Sequence, residues 1–350
     1  MSIANKEMKP TIEDWQALYQ AAIAFKKLGC WEWLNPDHLF GLQHPLSGEI
    51  HYCCVLGELG EVLALNLYTG AKGLAGFLKM QHSDGPGVLD VLSLQICLMA
   101  SFDDRSQLDP SSLKHIKELG FKFRGSQAWP NFQSFIPGYV PWSLTTQDEA
   151  QLLTLALVQT IEVATRYQSR TDELLTQDDG QIMILVPESG LNGEYTWHEQ
   201  WMLPPGIDEA LKPEISNFIV NELQLARIQK SVKAKSGVWE LDAFFAPLPI
   251  DANPRPFFPH FALCVDQQSE QILHAELSQE AGARTDLSQE LLNIINKYQM
   301  LPEAVYVHNV EVYVQLKPLL DKLKISLVMV EELSLLEGIK ENMLEHFSMR

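Results

Sequence analysis

The sequence has no surplus of positive charge: 26 Lys and Arg stand against 45 Asp and Glu, giving a formal net charge of -19. Non-specific nucleic-acid binding depends on cations that neutralise phosphates, so a polynucleotide partner is disfavoured, and an anionic membrane surface with it. Cysteine is scarce and unpatterned. Cys30, Cys53, Cys54, Cys97 and Cys264 are odd in number and form no CxxC pair, and all but Cys30 sit in apolar runs. They read as small buried hydrophobes of a reducing cytoplasm, and neighbours Cys53 and Cys54 would point to opposite faces of a strand. Long hydrophobic runs are missing too: the greasiest stretch, Leu152 to Ala164, is interrupted by Gln159, Thr160 and Glu162, and the N-terminus has no apolar signal core. No membrane association is expected, and the location expected is cytoplasmic. Gly57, Gly60, Gly70, Gly73 and Gly76 form neither GxGxxG nor GxxxxGK[ST], and no GxSxG, HExxH or zinc-finger spacing occurs. The common nucleotide, hydrolase and metal templates are therefore excluded, and no cofactor and no metal is expected. His82 and Asp84 alone make a poor metal pair.

What is present is a globular composition, 46% hydrophobic and 20% charged, in a chain of 350 residues, long enough for two cores. Thr11 with Asp14 makes a capping box, and Gly29 stops the helix they open. Ile50–Leu56 and Val62–Tyr68 read as a hairpin around Gly57 and Gly60, Ala71–Met80 as a helix and Val91–Ser101 as a strand running into Asp103, Asp104 and Arg105. Asp109-Pro110 caps a helix ending at Gly120, and the proline- and aromatic-rich Ala128–Trp142 reads as extended chain. A second capping box, Thr146 with Glu149, opens a helix to about Tyr167. Residues 1–170 are thus expected to form an α+β N-terminal domain.

Residues 171–246 supply strands Gln181–Pro187 and Glu194–Met202 around a Gly190–Gly193 turn, helix Pro213–Lys233 and strand Gly237–Phe245. They are expected to pack on the N-terminal domain. The cations at the end of that helix, Arg227, Lys230, Lys233 and Lys235, read as a solvated C-terminus favoured by the helix dipole. Pro247–Pro259 holds five prolines and reads as the interdomain linker. Residues 255–350 then give strands Phe261–Asp266 and Gln271–Leu277, helix Leu287–Tyr298, strand Ala304–His308, helix Val312–Leu323, strand Ile325–Val330 and helix Leu333–Phe347. A hairpin followed by βαβα is an α/β module.

From Asp266 onward the order resembles the ribonuclease H and integrase superfamily, through Pro302-Glu-Ala-Val-Tyr-Val-His-Asn309 and Leu319–Val328. The resemblance implies a first carboxylate at the end of a hairpin strand, a second at a strand exit and a third on a closing helix. Asp266 fits the first position, His308-Asn309 stands at the second, and Glu332 or Glu337 is offered at the third. The hairpin's usual third strand is missing or very short, so a degenerate ribonuclease H-like domain is implied, with Asp266, Asn309 and Glu337 as candidate catalytic residues. The chain as a whole is similar to an uncharacterised bacterial two-domain family, through Trp31-Glu-Trp33, His51-Tyr-Cys-Cys54, Phe121–Gly125, Ala128-Trp-Pro130, Pro137–Trp142 and Pro259–Asp266.

A recognition surface is expected in the N-terminal half. Asp103, Asp104 and Arg105 leave one strand, Arg124 leaves the next element, and Trp129, Tyr139 and Trp142 stand among prolines; arginine beside such aromatics suits protein or peptide recognition. The expected function is a non-catalytic binding or regulatory module whose partner is a protein or peptide. A metal-dependent nuclease relative, or a hydrolase with an unrecognised site, is the alternative.

Overall fold

The computed structural model describes residues 8–81, 88–190, 194–212 and 222–348. The His82/Asp84 pair, the tip of the Gly190–Gly193 turn and the start of the helix expected at Pro213 lie outside them. The chain divides into two compact units, with the main change-over between Leu211 and Lys212; residues 88–93 and 137–140 also sort with the second unit.

The first unit opens with α1 (Ile12–Leu28), β1 (Phe40–Gln43), β2 (Ile50–Leu56), β3 (Ala64–Tyr68) and α2 (Gly70–Gln81). A short helix α3 (Val88–Leu94), which sorts almost wholly with the second unit, precedes β4 (Cys97–Asp103), α4 (Pro110–Glu118), β5 (Trp129–Phe135), β6 (Trp142–Ser143) and α5 (Gln147–Tyr167). Then follow β7 (Ile182–Ser189), β8 (Tyr195–Met202) and α6 (Ile207–Ala210). The strand expected over Val91–Ser101 is thus a helix for its first part. Val91, Leu92 and Leu94 suit either state, and a short apolar run does not distinguish them.

Eight strands form one sheet in the order β6-β5-β4-β3-β2-β1-β7-β8. Every pairing is antiparallel except β1 with β7. β1, too short to stand out in the sequence, joins the last hairpin to the rest. One face packs α1 and α5 through Phe25, Cys53, Leu65, Leu67, Leu153 and Leu157. Both helices carry the expected boxes: Thr11 Oγ1 accepts from the Asp14 amide at 3.1 Å, and Thr146 Oγ1 from that of Glu149 at 3.2 Å. Cys53 belongs to this core and Cys54 does not, as alternation requires. Burial pushes the Cys53 thiol up to about 12 and raises that of Cys54.

The second unit contains α7 (Glu222–Ser231), β9 (Ala234–Lys235), β10 (Val238–Phe245), β11 (His260–Asp266), β12 (Gln271–Leu277) and α8 (Leu287–Tyr298). It continues with β13 (Met300–Leu301), β14 (Ala304–Val307), α9 (Val310–Leu323), β15 (Ser326–Met329) and α10 (Ser334–Ser348). Its sheet has the order β12-β11-β10-β14-β15, with β10 antiparallel to β11 and parallel to β14. β9 and β13 form a separate parallel pair.

Two expectations are corrected here. β10 is the central strand of this sheet, so residues 171–246 do not pack as one block on the N-terminal domain: β7 and β8 enter the first sheet, while α7 and β10 build the second. The proline-rich Pro247–Pro259 stretch is consequently a connection inside the second unit. Ile250 and Phe257 exchange backbone hydrogen bonds across it, at 2.7 and 3.1 Å. The third hairpin strand, absent downstream of those prolines, is β10 on their upstream side. Composition marks a proline-rich stretch as a linker, but strand pairing decides what it links.

Opposite faces of the second sheet bury different things. Trp239, Leu241 and Cys264 pack with α8 and α9. Leu263 and Val265 pack with Leu333 and Leu336 of the α10 segment. On that same face β10 also places Glu240 and Asp242, which are 1% and 5% exposed.

Candidate functional site

Two buried carboxylates on a central strand are costly unless each is paired, and both are. Glu240 Oε2 accepts from the backbone amides of Leu335 and Leu336, at 3.2 and 3.1 Å, in the first turn of α10, and Glu240 Oε1 accepts from Gln267 Nε2 at 2.8 Å. A strand carboxylate thus caps a helix whose own preceding residues leave those amides open, and the helix dipole favours the anion. Asp242 Oδ2 lies 2.6 Å from Lys340 Nζ, with the two side chains 7% and 8% exposed. One turn back on α10, Glu337 Oε1 accepts from the same ammonium at 2.8 Å. Burial alone would lower the pKa of Lys340, but Asp242 and Glu337 outweigh it and hold the ammonium charged above the usual lysine range. The ring of Phe244 lies 5.0 Å from that nitrogen and covers it.

The printed β10–β14 register runs Val238↔Ala304, Trp239↔Val305 and Glu240↔Tyr306. Extended by two residues, it brings His308 level with Asp242. The exit of β14 therefore lies beside the Asp242–Lys340 pair, and the acid of the neighbouring strand is Asp242.

Asp266 is elsewhere. It pairs across the sheet with Trp239, on the face that packs α8 and α9, opposite to Glu240 and Asp242. Asn309 is two strands away and four residues further on, about 10 Å across and about 13 Å along. Asp266 Oδ2 accepts from the Ser269 amide and hydroxyl at 3.3 and 2.7 Å, closing the hairpin turn. Asn309 caps α9 by accepting from the Glu311 amide at 2.7 Å. Glu337 belongs to the Lys340 network, and Glu332 is exposed. The three candidate catalytic residues do not converge.

The expected recognition surface is divided in the same way. Asp103 Oδ2 accepts from Asn131 Nδ2 at 2.7 Å and Ser101 Oγ at 3.1 Å. Asp104 Oδ1 accepts from the Gln127 amide at 2.7 Å and Ser126 Oγ at 2.8 Å, bonds that hold its carboxyl below the usual range. Asp103 ties β4 to β5, and Asp104 braces the loop before β5. Arg105 lies over the Trp129 ring at 5.8 Å, and Arg124 is exposed on the stretch before it. Trp142 pairs with Ser134, five residues up β5 and so about 17 Å from Trp129. Tyr139 sorts with the second unit, where Arg255 lies 5.5 Å over its ring. Asp103, Asp104, Arg105, Arg124 and Trp129 stay together; Tyr139 and Trp142 leave the group.

The first unit also has an open cleft of about 440 Å³ lined by Gln43, Glu49, Ala71, Gln200 and Met202 among others, with Glu49 the sole ionisable residue among the described ones that line it. One carboxylate with no partner base is poor equipment for acid–base chemistry, and the size suits a bound group.

Glu240, Asp242 and Lys340 were missed by sequence reading. Trp239-Glu-Leu-Asp-Ala243 does alternate, but it puts its charges on one face of a strand that looks half-exposed, and the helix turn that caps Glu240 and the lysine that pairs with Asp242 are about a hundred residues downstream. Arg227, Lys230, Lys233 and Lys235 behave as expected of a helix end: Lys233 donates to the Gln229 carbonyl at 2.9 Å and Lys235 to that of Lys324 at 3.1 Å.

The fold and this closed ionic centre define a protein of two mixed α/β units, the second built on a five-stranded sheet of order β12-β11-β10-β14-β15. Residues 15–185 match a domain of unknown function (DUF7309) and residues 224–344 another (DUF6930), so two uncharacterised family domains cover the N- and C-terminal parts of the chain. No curated protein matches the chain. No helix among the described residues is long and apolar enough to cross a membrane.

Proposed function

We propose that the protein is a non-catalytic binding module, with a ribonuclease H-like second unit whose ancestral metal position is filled by a lysine. The observation that carries this is Lys340. Its ammonium bonds to both Asp242 and Glu337, a first-strand acid and a closing-helix acid of the kind that would hold divalent cations in a ribonuclease H-like centre. The strand that should contribute a further carboxylate offers His308 and Asn309 instead. Two-metal phosphoryl transfer needs converging carboxylates, and a fixed ammonium between them already satisfies their charge. An acidic chain of net charge -19 would also repel the phosphates of a nucleic-acid substrate.

Binding falls to the first unit. Arg105 stacked on Trp129, with Arg124 exposed nearby, gives a cationic and aromatic patch suited to an acidic protein or peptide segment. The test has two arms. Incubation with Mg²⁺ or Mn²⁺ should leave single-stranded, double-stranded and hybrid substrates uncut; cleavage abolished by Asp242→Asn would overturn the reading. In a pull-down, Arg105→Ala/Arg124→Ala should release an acidic partner at unchanged Tm, and equal retention by wild type and variant would remove this patch from the proposal.

A further inference from the structure

The second unit carries another set of polar side chains, on the sheet face away from Lys340. β12 places His274 and Glu276 two residues apart, hence on one side of the strand, and α8 lays Glu290 against them. His274 Nε2 lies 3.2 Å from Glu290 Oε2 and 3.5 Å from Glu276 Oε2. One ligand atom from each residue falls within 4.8 Å of the other two, the single such group among the described residues. The His274 and Glu290 side chains are 19% and 16% exposed, whereas Glu276 is 57% exposed and forms the open side. Nε2 itself is buried, and neither carboxylate completes a hydrogen bond to it.

These spacings are those of ligands around a shared cation. Zn–N and Zn–O bonds of about 2.0–2.2 Å in a tetrahedron set neighbouring ligand atoms roughly 3.3–3.5 Å apart. An imidazole nitrogen close to two carboxylates yet hydrogen-bonded to neither is available as a ligand. The surroundings hold the set in place. The β11–β12 register shifts between Cys264 and Val265, next to His274, and such bulges re-aim side chains. Asn293 Nδ2 donates to Glu290 Oε2 at 3.3 Å, while Gln289 Nε2 donates to Asn293 Oδ1 at 3.0 Å and fixes which end of that amide faces the glutamate. Supporting hydrogen bonds of this kind orient metal-ligating carboxylates. Neither Glu276 nor Glu290 forms an ion pair with Lys or Arg among the described residues, so their charge is not otherwise compensated by a fixed cation.

We propose that His274, Glu276 and Glu290 bind one divalent transition-metal ion of the zinc class, with a fourth position open to solvent on the Glu276 side. One imidazole with two carboxylates and no thiolate favours Zn²⁺, Co²⁺ or Mn²⁺ over Cu⁺, and three protein ligands leave room for water. The site tethers the edge strand β12 to α8 and is separate from the Lys340 network.

The test uses the full chain stripped with a chelator and then titrated with ZnCl₂ alone by calorimetry, with Co²⁺ as a spectroscopic probe. One equivalent should bind, Co²⁺ should show the visible bands of four-coordination, and Tm should rise with added metal. His274→Ala and Glu290→Gln should each weaken binding at least tenfold, and Asn293→Ala about 10- to 100-fold through the lost carboxylate support. Glu276→Gln, at an exposed position, keeps the readout if the more buried variants fail to fold. Stoichiometric binding unchanged in Glu276→Gln and His274→Ala, or no binding by the folded wild-type chain, would overturn the proposal.

Discussion

The two units bury comparable sheets but neutralise buried polarity in different ways. In the first, the polar side chains under the sheet ends are neutral or locally braced: Asp103 takes its bonds from Asn131 and Ser101, and Asp104 from a loop amide. In the second, full charges sit on the central strand and are matched by a helix N-terminus and a lysine from the far end of the chain. The bracing groups of the first unit are neutral amides and hydroxyls 2 to 28 residues away, so losing one leaves an acid that water can still reach. Long-range charge pairing makes the second unit an all-or-none assembly, because an acid on β10 without α10 is a buried unpaired charge.

The comparison can be broken most directly by cutting the chain. A fragment of residues 212–350 retains β10 and should melt cooperatively, whereas residues 255–350 lack the strand between β11 and β14 and should give no cooperative transition in circular dichroism. A cooperative melt of the shorter piece would show that β10 is dispensable and that the prolines do separate two independent bodies.

Next in size is the ion pair. Lys340→Met leaves Asp242 buried and unpaired and should cost about 3–5 kcal/mol, while Asp242→Leu/Lys340→Met should recover most of that loss. Denaturant melts of the four corners of the cycle measure it. Near-equal stability of wild type and the single variant would mean that water reaches the pair. Since the pKa of Lys340 is raised in the fold, its contribution is complete below the ordinary lysine value of 10.5 and lost only as pH climbs past it.

The smallest effect sharpens a likeness between the units. His51 Nδ1 accepts from the Gly70 amide at 3.3 Å, and His260 Nδ1 from that of Thr285 at 3.0 Å, so each ring is neutral with its proton on Nε2. Burial, aided by His44 for the first and Arg284 for the second, pulls both from 6.5 to about 4. The unfolded chain takes up these protons first as pH falls. Stability is therefore full above 6.5 and declines toward pH 4, by up to about 3 kcal/mol per histidine. His260→Asn should flatten that decline in the isolated 212–350 fragment; an undiminished slope would place the proton uptake elsewhere.

Much of the local structure was legible. The Thr11/Asp14 and Thr146/Glu149 boxes, Asp109-Pro110, and every helix and strand after Phe261 except the two-residue β13 follow from capping chemistry and from periods of 2 and 3.6, which act over a few residues. The site was scarcely legible. Asp266 drew attention because it ends a strand at a turn, and ending that turn is the role its bonds to Ser269 give it. Asp242 drew none, since a charge within an alternating strand ordinarily faces solvent.

The sequence by itself determined most of the longer elements, the helix caps at Thr11, Asp109 and Thr146, the acidic character and the opposed faces of Cys53 and Cys54, because each depends on the residues themselves or on neighbours within one or two turns of chain. Only the tertiary structure decided that β10 completes the second sheet across five prolines. It alone set Lys340 against Asp242, and His274 against Glu290. Those pairings join residues far apart in the chain, and a contact of that kind exists only after the sheet has fixed which strands are neighbours and which face each side chain takes.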